Sequence, residues 1–172
     1  GSPTSNLPLR GGKGWLYEGG IREPFLIAWP GVVRPGGVED TPVISTDFYP
    51  TLLDLAGLPA EPAQHLDGVS LAPLLLNDGP IKRRDLFWHY PHYSNQGGFP
   101  GGVIRSGNWK LIERYEDGRP HLFNIDTDIH ERSDLARRYP KRIKQMRARL
   151  HAWYEEVDAK FLKAKPNGPQ PW

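Results

Sequence analysis

The sequence predicts an α/β portion followed by an α+β subdomain, a small antiparallel sheet packed on a long C-terminal helix. Three observations carry this. A wholly apolar run, Phe25-Leu26-Ile27-Ala28-Trp29, is bounded by Pro24 and Pro30-Gly31, as suits a strand covered on both faces in a parallel sheet. Further on, strand-like runs are separated by hairpin residues. The last long segment carries apolar residues at alternating spacings of three and four, the mark of a helix with one buried stripe.

In chain order, residues 1–24 read as loop. The run at 25–29 is a strand without an evident partner nearby, and a lone buried strand leaves its backbone donors and acceptors unsatisfied. Missing partner strands are therefore expected. Residues 32–42 form a polar connection. Asp47 stands where it can cap a helix through Leu52, Leu53, Leu55 and Ala56 to the Gly57 stop, with Pro50 tolerated in the first turn. A metal-ligand role for Asp47 is the weaker reading. Residues 59–80 are irregular, with a helical turn at 70–76. The charged run Lys82-Arg83-Arg84-Asp85 reads as a solvated linker.

Beyond it, Leu86–Tyr90, Val103–Arg105, Trp109–Arg114 and His121–Phe123 are strand candidates, with hairpin signals at Gly107-Asn108 and Asp117-Gly118. The final helix is expected from about Pro140 to Leu162, its stripe formed by Ile143, Met146, Leu150, Trp153 and Val157. The organisation read from these signals is 1–81 as an α/β remnant, 82–165 as the sheet-and-helix subdomain, and 166–172 as a Pro-rich mobile tail.

Composition narrows the function. The 172 residues carry 22 Lys and Arg against 20 Asp and Glu, a net charge of +2. Nothing in that balance makes the whole molecule a nucleic-acid binder. With no cysteine, there is no disulfide framework from which to read a compartment. No apolar stretch approaches membrane-spanning length, and the first residues lack a basic segment followed by an apolar run. If the start is an internal cut, the latter says nothing about the parent.

The most chemical stretch is Arg10-Gly11-Gly12-Lys13-Gly14-Trp15-Leu16-Tyr17-Glu18-Gly19-Gly20-Ile21-Arg22-Glu23-Pro24. Glycines let backbone approach a ligand closely, and one ammonium offered from such a loop binds an anion as a point charge. An arbitrary Gly-Lys-Gly is more often a solvated turn. The nucleotide loops do not fit. Leu7 holds the first glycine position of a Walker A loop, and Tyr17 stands where the dinucleotide fingerprint needs its third glycine.

These residues, with Trp29-Pro30-Gly31, Asp47–Gly57, Asp67-Gly68-Val69-Ser70-Leu71 and the segment from Asn124-Ile125-Asp126 to Leu135-Ala136, resemble the C-terminal portion of a type I, formylglycine-dependent sulfatase of the alkaline-phosphatase-like superfamily. Each motif alone is weak; the set in order is specific and covers nearly the whole chain. The resemblance implies that 1–81 is a remnant of that family's large α/β domain. It implies a sulfate-ester hydrolase in which Lys13 contacts the sulfate group. The family's nucleophile arises from a Cys/Ser-x-Pro-x-Arg motif, and its Ca2+ is held by acidic residues. Neither set is present in this sequence, so no metal ligand is assigned to this chain. The partners implied are the missing N-terminal half of the sulfatase and a sulfated small molecule or glycan, with neither nucleic acid nor membrane. A periplasmic or secreted parent is expected, and the isolated chain is expected to be inactive.

Around Lys13, Arg10 and Arg22 can touch an anion bidentately, although a structural role is the stronger reading for both, with Arg22 in a local ion pair with Glu18 or Glu23. In Trp88-His89-Tyr90-Pro91-His92-Tyr93, zinc lacks a third ligand at a convincing offset. A substrate-pocket wall is the better functional reading, with His92 as hydrogen-bond donor. His89, inside the strand, is expected to be structural. Gly97–Gly102 reads as a mobile lip. The basic run Arg137, Arg138, Lys141, Arg142, Lys144, Arg147 and Arg149 suggests a polyanion patch or, more simply, a solvated helix face. Two alternatives stay open: a phosphoester or phosphonate hydrolase of the same superfamily, and a non-catalytic module for acidic glycans.

Overall fold

A computed structural model describes residues 5–76, 79–82 and 85–163. The chain forms two compact units. One joins the described residues of Gly1–Pro24 to those of Asp85–Trp172, and the other is Phe25–Arg84. The opening loop therefore belongs with the sheet, whereas the sequence groups it with the residues that follow it. The cause is long-range: its residues are bonded to the third strand and to the segment after the fourth, as described below. The Pro-rich tail expected at 166–172, and Arg83-Arg84 of the expected linker, lie outside the described residues.

In the first unit, β1 (Leu86–Tyr90), β2 (Gly101–Ser106), β3 (Trp109–Arg114) and β4 (Pro120–Asn124) form an antiparallel meander in chain order. Val103 pairs with both Trp88 and Ile112, and Leu111 with Leu122. The β2–β3 turn uses Gly107 at φ +55°, as a tight hairpin requires. Both faces of the sheet are buried. Val103, Ile112 and Phe123 pack against Leu16 and Tyr17 of the opening loop on one face. Ile104, Leu111 and Leu122 pack against Met146, Leu150 and Tyr154 on the other. The strict alternation follows from the two-residue period of a strand.

The second face is covered by the long helix Pro140–Glu156, here α4, which starts with proline in its first turn. Among the described residues three short α-helices precede the sheet: α1 (Glu18–Ile21) in the opening loop, and α2 (Phe48–Leu55) and α3 (Ala72–Leu76) in the second unit. The α4 stripe differs from expectation at its end. Tyr154 is 7 % exposed and joins the core, while Val157 is 41 % exposed. The helix stops at Glu156, short of the expected Leu162. Asp158 then takes φ +49°, and the Ala159 N–H bonds the Tyr154 carbonyl.

In the second unit the expected strand at 25–29 is not one. The segment has no ladder partner among the described residues, and Leu26 is 93 % exposed. Among the described residues no strand flanks it, and Phe25, Ile27 and Trp29 are also exposed. Asp47 is fully buried, yet it does not cap α2. Its Oδ2 accepts from the Ile44 N–H (2.9 Å) and its Oδ1 from the Val69 N–H (3.0 Å). Thr51 Oγ1 donates to the Asp47 carbonyl and accepts from the Leu71 N–H. Asp47 thus ties the segment before α2 to the one that leads into α3.

Candidate functional site: the Lys13 loop

The loop carrying Lys13 is closed by its own backbone. Trp15 N–H donates to the Gly12 carbonyl (3.0 Å) and Gly19 N–H to the Arg10 carbonyl (2.8 Å). Glycine is demanded by contact. A Cβ on Gly19 would stand 2.4 Å from the Gly11 carbonyl oxygen, and one on Gly20 2.0 Å from that of Trp15. Residues 94–98 press on the same loop, since a Cβ on Gly98 would meet the Gly14 carbonyl oxygen at 2.1 Å. The glycine stretch read as a lip is therefore packed on the lysine loop, and Gly101-Gly102 are buried at the start of β2.

Both ends of the loop are clamped by one residue. Arg10 donates to the Glu131 carbonyl (2.7 Å), and Glu18 N–H donates to Glu131 Oε2 (2.6 Å). Glu131 holds φ +51° to present both groups, and His130 Nδ1 bonds the Pro8 carbonyl at 2.8 Å. Beneath them the fully buried Lys110 of β3 places Nζ 2.9 Å from Glu18 Oε1 and 2.9 Å from Glu131 Oε1. Arg105 and Arg22 reach Glu18 Oε2 at 3.7 Å. Burial holds the Glu131 carboxyl above its usual range, against the pull of the Lys110 ammonium. Burial also lowers the Arg105 pKa.

Lys13, between these anchors, is exposed, and among the described residues it has no ion-pair or hydrogen-bond partner. A cation presented by a fixed backbone and left free at its tip can meet an anion without first breaking an internal bond. Arg10 is spent in part, with its guanidinium on the Glu131 carbonyl and 3.9 Å from the Tyr17 ring centroid. Arg22 pairs with Glu18, as its spacing suggests. His92 is exposed, its ring 5.5 Å from that of Tyr90.

His89 sits on the helix face, bonded to Tyr115 Oη (2.6 Å) and the Lys160 carbonyl (2.8 Å), which is the structural role expected of it. A cleft of about 390 Å³ opens there, lined in part by Glu113, Tyr115, His151, Tyr154 and Phe161. Several of its polar groups bond one another or a neighbouring side chain. Glu113 binds Arg147 and His151, and the Tyr115 and Tyr154 hydroxyls bond each other at 2.9 Å. Burial pushes both phenols far above their usual range, so neither serves as a base.

Among the described residues no group of three or more His, Cys, Asp and Glu is placed to hold a metal ion. The buried carboxylates of Glu18 and Glu131 share Lys110, and Arg105 and Arg22 stand near Glu18, so the described residues of this chain do not fit a calcium site.

The family profile described as N-sulphoglucosamine sulphohydrolase, C-terminal, matches residues 12–160. The chain belongs to the sulfatase family. It is 37 % identical over 166 residues to a sulfatase of Formosa agariphila, covering 88 % of this chain and 30 % of that protein. It is 41 % identical over 135 residues to human arylsulfatase A, covering 77 % of this chain and 25 % of the enzyme. The crystal structure of Ps i-CgsB, also known in complex with k-i-k-neocarrahexaose, aligns with a TM-score of 0.74 at 33 % identity, over 87 % of this chain and 32 % of that one. This chain thus spans less than a third of the length of these relatives.

Sequence reasoning singled out Lys13 and the glycines around it and passed over Lys110 and Glu131. A buried lysine inside the strand run Trp109–Arg114 is the one local sign that a carboxylate must lie opposite it.

Proposed function

We propose that this chain is the C-terminal part of a hydrolase of sulfate esters, in which Lys13 contacts the sulfate group. The observation that carries the reading is the exposed, unpartnered ammonium of Lys13 on a loop fixed at both ends by Glu131. As the ester S–O bond breaks, negative charge grows on the sulfate and leaving-group oxygens. A preset cation beside them stabilises that charge without reorganising. Arg10 retains N–H groups for the same anion, and His92 is assigned to the substrate's leaving-group side as a hydrogen-bond donor.

The remaining machinery lies outside this sequence: the formylglycine nucleophile, the calcium ligands and the rest of the α/β domain. The short coverage of the relatives supports this. So does the apolar, unpaired segment 25–29, which suits a strand in a sheet completed by other residues. The ligand named for Ps i-CgsB is k-i-k-neocarrahexaose, and a relative at 27 % identity was solved with its substrate, D-glucosamine-2-N,6-O-disulfate. Both favour a sulfated glycan or small sulfated sugar as substrate.

The test is Lys13→Ala in the full-length protein. Turnover of an aryl sulfate should fall about 10²–10³-fold, the range for loss of one transition-state donor, with the melting temperature unchanged. Unchanged turnover would refute the assignment. The 172-residue chain alone should not hydrolyse the same substrate. Faster turnover of a phosphonate monoester than of the sulfate ester would move the protein to another reaction of the superfamily.

A further inference from the structure

We propose that the first turns of α4, together with Trp109, form a binding surface for a sulfated polysaccharide chain. This surface lies on the sheet face opposite the Lys13 loop. The choice of a sulfated glycan over other polyanions rests on the sulfate-ester reading above. From residue 135 to 154 the sequence has no Asp or Glu. The structure divides the cations there into two sets. Arg147 pairs with Glu113, and Arg149 with Asp85. In contrast, Arg137, Arg138, Lys141, Arg142 and Lys144 are all exposed and have no ion-pair partner among the described residues.

Two of the unpaired guanidinium groups lie on aromatic faces. Arg142 Cζ stands 4.2 Å from the Trp109 ring centroid and Arg138 Cζ 5.6 Å from that of Tyr139, and the two rings meet edge to face at 5.1 Å. Such stacking holds the planar groups in place while leaving their N–H edges outward for sulfate oxygens.

The arrangement works against the fold. The N-terminal turn of a helix is the positive end of its dipole and favours acids, yet α4 has none in its first turn and carries Lys141, Arg142 and Lys144. Like charges three apart on a helix repel. A local rule broken without compensation inside the molecule marks a place where compensation comes from a ligand. A chain of sulfate groups supplies it, since several anions at regular intervals can engage several cations at once.

The experiment uses the full chain, with heparin as probe at 0.15 M NaCl and over a salt series. Lys141→Glu/Arg142→Glu/Lys144→Glu should weaken heparin binding at least about ten-fold. It should also reduce the slope of log affinity against log salt by about three, one for each cation lost. Because the new acids complement the helix dipole, this variant should melt no lower than the parent chain, which excludes misfolding as the cause. A control of equal charge change on exposed cations elsewhere, Arg34→Glu/Arg119→Glu/Lys160→Glu, should keep affinity within about two-fold of the parent chain. Equal weakening by both variants would reduce the effect to net charge and overturn the proposal. So would displacement of heparin by duplex DNA at equal charge concentration. Heparin affinity reads the helix and aryl-sulfate turnover reads the loop, so either reading can fail while the other stands.

Discussion

Replacing Lys110 by Met tests the clamp under the Lys13 loop. The side chain is fully buried, and its ammonium is the shared partner of Glu18 and Glu131, whose side chains are 2 % and 0 % exposed. Methionine keeps the approximate volume and length of the stem, so packing is retained and the charge alone is lost. Two carboxylates then remain buried side by side, with Arg105 and Arg22 only at 3.7 Å from one of them. Breaking a buried pair from one side costs about 3–5 kcal/mol, because the abandoned charge keeps its desolvation penalty. Glu131 is left without a cation while Glu18 keeps Arg105 and Arg22, so the middle of that range applies, about 4 kcal/mol. For a unit of this size the melting temperature should fall by roughly 15 °C or more. Urea unfolding at pH 7.5, followed by tryptophan fluorescence, measures the loss. Adding Glu131→Gln should recover at least about 1 kcal/mol, since neighbouring charges couple. A loss under about 1 kcal/mol, or a double variant no more stable than the single one, would refute the clamp.

Three further outcomes are expected. Gly20→Ala should destabilise by about 2 kcal/mol or more, as a clash with backbone cannot relax by rotating a side chain; thermal melts compare it with Gly37→Ala, where φ is not positive and a Cβ comes no nearer to another atom than 3.4 Å. Leu150→Ala should cost about 2–5 kcal/mol and Val157→Ala less than about 0.5 kcal/mol, with equilibrium unfolding in urea as the readout; equal losses would contradict the observed stripe. The third concerns pH. Burial lowers the His121 pKa below its usual 6.5, although Asp134 pulls it up. The unfolded chain therefore takes up this proton first as pH falls. Stability from this residue is complete above about pH 6.5 and declines as pH drops toward the folded pKa. His121→Phe should flatten that part of the profile in melts between pH 7.5 and 5.5.

What the sequence made legible was the local structure. The strands were readable because apolar residues and turn residues follow the pleat, and α4 because its apolar residues repeat with the helical period. Tyr154 and Val157 could not be separated on that basis, since both are apolar and the helix end is decided by the turn at Asp158. The segment 25–29 was read as a strand from its own composition, but ladder partners are a property of other segments. Asp47 was placed correctly at the head of α2, yet its carboxylate serves Ile44 and Val69, and a bond to a residue 22 positions away leaves no trace in local spacing. The Lys13 loop was visible through its glycines. Its support was not, because Lys110 and Glu131 lie 92 and 113 residues from Glu18.

That separation has a consequence for biosynthesis. Arg10 and its carbonyl partner at Glu131 are 121 residues apart in the chain. At ~5–20 residues per second the ribosome needs roughly 6–24 s to travel between them. Throughout that interval the nascent loop lacks the Glu131 clamp, so the lysine it carries is among the last features of this region to find its place.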